Sequence, residues 1–327
     1  MKESVKFCSP ICRISKNYCD KYGEGNEIYI KREDLLPFYF GGNKARIAEA
    51  FADDAESKGC DCILTYGSSD SNMCRVVTMI CRKRNIDCVV LSASEVGQEY
   101  TYSINSKIAE ESGFPFYTCD KSEVGVSLDR IISQLTEQGK KVYYIYAPEN
   151  IAAGVSAYKN TYGEISSFGE AFDYIFAASG TGVTQAGLIC GKFQLKEEKP
   201  CKNSEIIGIS VSREKERETE IIKGYMRSYL EKAGVLNADI EKAYGLIRFT
   251  DKYNCGGYGM YDSNLLDRIS ELMYNEGIGL DPVYSGKAFF GMLDYLKDNG
   301  IKGKKILFIN TGSAPLFFDR LNEINKS

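Results

Sequence analysis

Short runs of consecutive apolar residues alternate along this chain with amphipathic stretches. The runs Ile28–Ile30, Cys62–Tyr66, Cys88–Leu91, Val142–Tyr146, Tyr174–Ala178, Ile206–Val211 and Ile306–Asn310 are brief and predominantly apolar, as strands covered on both faces are. Between them, Ala45–Lys58, Met73–Arg84, Leu128–Gln138 and Thr184–Phe193 repeat apolar positions at the three- and four-residue spacing of a helix with one buried face. The alternation predicts an α/β protein with mostly parallel sheets. The run Arg213–Glu218 mixes both charge signs at helical spacing and predicts a solvated helix face. No repeat, low-complexity stretch or linker stands out. Two domains with an interleaved chain therefore suit the pattern as well as two in tandem.

The junctions between these elements carry the candidate chemistry. A loop after Ile28–Ile30 closes on Gly41-Gly42-Asn43, and an amphipathic segment starts on Lys44. An amine at the first turn of a helix lies beside outward-pointing N–H groups, which, with partial burial, disfavour the ammonium form. Such a lysine can attack a carbonyl and form a Schiff base. A solvated lysine behind an Asn N-cap would have the same sequence. After the run ending at Ala178, Ser179-Gly180-Thr181-Gly182-Val183-Thr184 opens a helix and makes an anion cradle. It lacks the third glycine of the dinucleotide fingerprint, and Gly187 is followed by Leu188 rather than the lysine of a nucleotide P-loop. What remains is a cup for one phosphate monoester, or a tight turn without a ligand. Asp70-Ser71-Asn72 also marks a strand-to-helix junction, and offers either small polar ligand groups or plain capping. Gly256–Gly259 around Tyr258, Asp281–Lys287 around Tyr284 and Ser285, and Asn310–Ser313 around Thr311 each read alone as turns.

Composition narrows the chemistry. The 327 residues are 43% hydrophobic and 26% charged, enough for about two soluble domains. With a net charge of −4 and no basic stripe, a nucleic-acid partner is not expected. No apolar run reaches membrane-spanning length. Lys2, Glu3, Lys6, Arg13, Lys16 and Asp20 leave no room for a secretory leader in the first twenty residues, so a cytoplasmic location is expected. Twelve irregularly spaced cysteines include no Cys-x-x-Cys pair. No metal site is expected, and most thiols should be small buried groups in a reducing compartment. The chain has no histidine. This excludes Ser-His-Asp and Cys-His catalysis, and leaves acid–base work to Lys, Tyr, Asp, Glu, Cys or a cofactor. An activated lysine, a single-phosphate cup and flanking tyrosines together fit pyridoxal phosphate, which supplies the electron sink and lets the lysine act as base.

In order along the chain, Lys31-Arg32-Glu33-Asp34-Leu35, Gly41-Gly42-Asn43-Lys44-x-Arg46, Ser71-Asn72-x-x-Arg75, Thr181-Gly182-x-Thr184-Gln185-Ala186-Gly187, Gly257-Tyr258-Gly259, Asp281-Pro282-Val283-Tyr284-x-Gly286-Lys287 and Thr311-Gly312 span nearly all of it. The set resembles the 1-aminocyclopropane-1-carboxylate deaminase/D-cysteine desulfhydrase family, among the tryptophan-synthase-β-like pyridoxal-phosphate enzymes. The resemblance implies two three-layer α/β domains with mostly parallel sheets. Residues 1–52 and 161–327 would form the larger, discontinuous domain and residues 53–160 the smaller one, with the active site in the cleft, commonly in a homodimer. It also implies roles. Lys44 would carry the cofactor and move the substrate α-proton. Asn72 would bond the cofactor's phenolic oxygen, and Ser71 would sit beside the substrate carboxylate or relay a proton. Thr181, Gly182, Val183 and Thr184 would hold the phosphate, Thr311 would join the cofactor site, and Tyr258 and Tyr284 would flank the substrate. Ser285 stands where the deaminases have a glutamate against the pyridine nitrogen and the desulfhydrases a hydroxyl residue. It points away from cyclopropane ring opening and toward α,β-elimination of a small amino acid with a sulfur leaving group. Asp70 departs from the family pattern beside the expected carboxylate site. So do Asn310, where desulfhydrases tend to have His, and Pro148-Glu149-Asn150, where the family often has Gly-Gly-Ser. Ring opening, β-replacement or racemisation with the same cofactor, and a non-catalytic ligand-binding protein on the same fold, are the alternatives.

Overall fold

A computed structural model describes residues 8–324; Lys2, Glu3 and Lys6 of the leader reading lie outside the described residues. The chain forms two compact units. One comprises the chain up to Asn43 together with everything from Val155 onward; the other is Lys44–Gly154. The strands are β1 (Ile11–Arg13), β2 (Glu27–Arg32), β3 (Cys62–Ser68), β4 (Asp87–Ser94), β5 (Phe116–Asp120), β6 (Val142–Tyr144), β7 (Tyr174–Ser179), β8 (Glu205–Ser210), β9 (Arg248–Thr250) and β10 (Lys305–Asn310).

In the first unit the strand order is β1-β2-β10-β7-β8-β9. Only β1 runs antiparallel to its neighbour. One face of this sheet sends alternate residues into a core: Ile28 and Ile30, Ile207 and Ile209, Ile306 and Phe308. They meet Phe289, Met292 and Leu296 from the Ser285–Asp298 helix and Leu265, Ile269 and Leu272 from the Ser263–Glu276 helix. In the second unit the order is β5-β4-β3-β6, all parallel. Cys62, Leu64, Val89 and Leu91 pack there against Ile131. The two-residue period on the strands against the helical period on the covering layer makes the α/β class and the parallel sheets expected from the sequence.

The run expected to continue to Tyr146 leaves its ladder after Tyr144. The Tyr144 carbonyl accepts from Ala147 N–H at 3.1 Å and from Asn150 Nδ2 at 2.8 Å, which turns the chain. That is the structural work of Asn150 in the Pro148-Glu149-Asn150 departure; its Oδ1 also accepts from Lys58 Nζ. The cysteines are free thiols, and Cys19, Cys62, Cys74, Cys81, Cys88, Cys190 and Cys201 are buried. Among the described residues, no helix is long and apolar enough to cross a membrane, and no cluster of three or more His, Cys, Asp or Glu could hold a metal.

Candidate active site

Lys44 is placed by what precedes it. Lys31 is buried and pairs with Glu33 at 3.6 Å and Glu164 at 3.1 Å, while Tyr158 and Ser9 hydroxyls donate to Glu33. This anchors the start of the loop, and Glu33 O then accepts from Gly42 N–H at 2.7 Å. Tyr39, Phe40, Gly41 and Gly42 follow one another with φ of 59°, 60°, 68° and 93°. Such a left-handed run is costly for the two aromatic residues. At Gly42 a Cβ would lie 2.9 Å from Thr311 O, so only glycine lets the loop pass. The helix Asn43–Ser57 begins on Asn43 itself, not after it as an N-cap would require. Asn43 N–H donates to Thr311 O at 2.9 Å, and its Nδ2 donates to Thr184 Oγ1 at 2.9 Å. Lys44, one peptide bond further, is half-buried; the protein around its ammonium pulls the pKa down to about 8, with desolvation the sole cause.

Thr184 belongs to the expected phosphate cup. β7 ends at Ser179, and the helix Val183–Gln194 is entered through Gly182 at φ 81°. No side chain caps this helix, so its leading N–H groups are not spent on a neighbouring residue's oxygen. Beneath the turn lies Glu218, fully buried, which accepts from Ser179 Oγ at 3.3 Å and Arg213 Nη1 at 2.8 Å. Burial raises its pKa, against the pull of Arg213. This corrects the reading of Arg213–Glu218 as a solvated face: residues 214–217 are exposed, but Glu218 is not. The signal was present, because Glu218, Ile222, Met226 and Leu230 recur every four residues and all are buried.

In the second unit, Asp70, Ser71 and Asn72 lie on the turn between β3 and the helix Asn72–Arg84. Ser71 is the N-cap, accepting from Cys74 N–H at 3.2 Å. Asn72 Oδ1 accepts from Arg75 Nη2 at 3.2 Å and Asn105 Nδ2 at 3.1 Å. Asp70 O accepts from Asn105 Nδ2 at 3.0 Å, and Ser69 O from Ser103 Oγ at 2.6 Å. Asn105 was missed in the sequence, where nothing links it to a turn over thirty residues earlier.

Back in the first unit, the Tyr258 and Tyr284 hydroxyls lie 2.5 Å apart, with rings edge to face at 5.9 Å. Ser285 is fully buried; its hydroxyl donates to Asp281 Oδ2 at 2.6 Å and accepts from Asp281 N–H at 3.0 Å. Asp281 also accepts from the backbone N–H groups of Val283, Tyr284 and Ser285, yet burial outweighs them and lifts its pKa to about 6. Lys287, buried with its pKa lowered to about 8, donates to Gly257 O and so tethers the loop that carries Tyr258. Asn310 Oδ1 accepts from Gly312 N–H, while its buried Nδ2 has no partner. Thr181–Thr184, Tyr258, Tyr284, Ser285 and Thr311 thus belong to one unit, and Lys44 with Asp70–Asn72 to the other.

Comparison with known proteins agrees with this chemistry. The family model described as "Pyridoxal-phosphate dependent enzyme" matches residues 10–312. A D-cysteine desulfhydrase from Yersinia enterocolitica is 32% identical over 302 residues, covering 90% of this chain and 88% of that protein. A protein named as a candidate 1-aminocyclopropane-1-carboxylate deaminase from Pyrococcus abyssi is 30% identical over 299 residues, covering 90% and 86%. A crystal structure titled as an ACC deaminase homologue superposes with a TM-score of 0.84 at 30% identity, covering 98% of this chain and 94% of that one.

Proposed function

This chain belongs to the pyridoxal-phosphate-dependent enzymes, in the 1-aminocyclopropane-1-carboxylate deaminase/D-cysteine desulfhydrase family, and on that premise we propose that it cleaves a small β-thiol amino acid such as D-cysteine by α,β-elimination. Its residues fit the cofactor. An amine with a pKa near 8 suits an aldehyde, a helix start without a side-chain cap suits a phosphate, and the orphaned Asn310 Nδ2 is a buried donor in need of an acceptor. Bound, the cofactor supplies an electron sink for the charge left when the α-proton departs.

The chain's own groups account for the remaining steps. Lys44 would hold the cofactor and, once displaced by the substrate amine, would accept the α-proton as a neutral amine. Gly182 and the amides that follow, with Thr181 and Thr184, would hold the phosphate, and Thr311 fixes Asn43 and with it the start of the lysine helix. Ser71 and Asn72 would offer small polar groups to the substrate and the cofactor. In the tyrosine pair one hydroxyl donates to the other, an arrangement that would serve proton transfer to a departing group. The Cα–H and Cβ–S bonds break, sulfide leaves with a proton, and water converts the remaining enamine to a 2-oxo acid and ammonia. The observation that carries elimination over ring opening is Ser285: a neutral, fully buried hydroxyl held on both sides by Asp281, in the position where the ring-opening enzymes resembled here place a carboxylate.

The test is a panel of D- and L-cysteine, a β-chloro-alanine and 1-aminocyclopropane-1-carboxylate, scored for 2-oxo acid and sulfide. D-Cysteine should yield both in equal amounts, and Lys44→Ala should yield neither. Turnover of the cyclopropane substrate alone would replace elimination with ring opening.

A further inference from the structure

The Ser71-Asn72-x-x-Arg75 segment leaves Arg75 without a task in that reaction. Arg75 is 1% exposed. Burial lowers its pKa to about 10, so it keeps its charge near neutrality. A guanidinium only donates hydrogen bonds. Arg75 Nε donates to Asn105 Oδ1 at 2.8 Å, which fixes Asn105 with its oxygen toward the arginine. Asn105 Nδ2 therefore faces the other way, to Asp70 O at 3.0 Å and Asn72 Oδ1 at 3.1 Å. Arg75 Nη2 donates to the same Asn72 oxygen at 3.2 Å. The two ends of an amide look alike in shape, and an isolated Asn can present either one. Here the choice is forced: a donor-only group sets Asn105, and both together set Asn72.

We propose that Arg75 and Asn105 are positioning residues that fix the polarity of the Asn72 amide, so that Nδ2 is offered as a donor to the anionic ring oxygen of the cofactor. The inference rests on the reading of Asn72 as a cofactor ligand. With the amide reversed, an acceptor oxygen would face that oxygen and repel it. The buried guanidinium adds positive charge behind the donor and strengthens it.

The effect is read by the affinity of the apoprotein for pyridoxal phosphate and for 3-deoxypyridoxal phosphate, which lacks the ring hydroxyl. The wild type should prefer the hydroxyl-bearing cofactor by about 10- to 100-fold, the worth of a hydrogen bond to a charged group. Asn105→Ala should erase most of that preference while leaving affinity for the deoxy analogue nearly unchanged. Asn72→Asp keeps an acceptor facing Arg75 and Asn105 and puts a charged acceptor oxygen where the outward donor was, so it should lose or reverse the preference even if Asn105→Ala proves unstable. Equal weakening of both cofactors in Asn105→Ala would mark a purely structural role, and an unchanged preference in either variant would overturn the proposal. A wild type that binds both cofactors alike also overturns it, yet leaves elimination standing. A wild type that forms no Lys44-dependent yellow colour removes the proposed function itself.

Discussion

Two lysines, Lys44 and Lys287, are drawn down to about 8 by burial, so the shift alone does not say which one reacts. Position does. Lys287 donates to the Gly257 carbonyl and is almost fully enclosed, whereas desolvation is the only influence on Lys44, which keeps some accessible surface. The depressed value has a signed consequence. An ordinary lysine, at 10.5, is almost wholly ammonium at neutral pH, and only the neutral amine attacks an aldehyde. Capture of pyridoxal phosphate by the apoprotein should therefore speed up as pH rises and reach half its maximum near pH 8. Stopped-flow absorbance on wild type and Lys44→Ala checks this; a midpoint near 10.5 would mean that the amine is solvated. Most of the candidate site could be nominated from the sequence because Lys, Gly, Thr, Ser and Asn at strand-to-helix junctions form a limited vocabulary. Asn105 was not read, and Glu218 was misread as solvated. The first acts through a side chain distant in sequence, and the second is a charge on an otherwise apolar stripe.

At the scale of elements, the Val183–Gln194 helix opens at the β7 junction proposed above to hold the phosphate. Its entry residue, Gly182, sits at φ 81°, and a Cβ there would come within 3.1 Å of Glu218 Oε1. Gly182→Ala should cost about 1–2 kcal/mol for the left-handed backbone. It should also weaken pyridoxal phosphate binding more than binding of the phosphate-free aldehyde, which thermal denaturation and titration would report. The long, apolar central strands and the amphipathic helices were readable because their period is strong. β1, β5 and β9 were not, since β1 and β9 have three residues each and β5 has no fully buried side chain. They lie at sheet edges, where pairing to one neighbour replaces a buried apolar run.

For the molecule as a whole, sulfur is distributed by depth. Cys8, Cys12 and Cys255 are exposed, while Cys62, Cys74, Cys88 and Cys190 are buried with pKa values raised chiefly by desolvation. The thiolate is the reactive form. Alkylation of the native protein should label the exposed three first and reach the buried four only on unfolding, as mass spectrometry of timed digests would show. The contact between Asn43 and Thr311 joins two segments far apart in sequence. Thr311 follows β10, which lies between β2 and β7 in the middle of its sheet and is the last strand made. Without β10 there is no Thr311 carbonyl to receive the Asn43 N–H, so one of the two bonds that seat the start of the lysine helix depends on that strand. On the proposed reading, a slip in the register of a central strand would be felt at the lysine more than 260 residues away in sequence, so cofactor capture would double as a probe of sheet order.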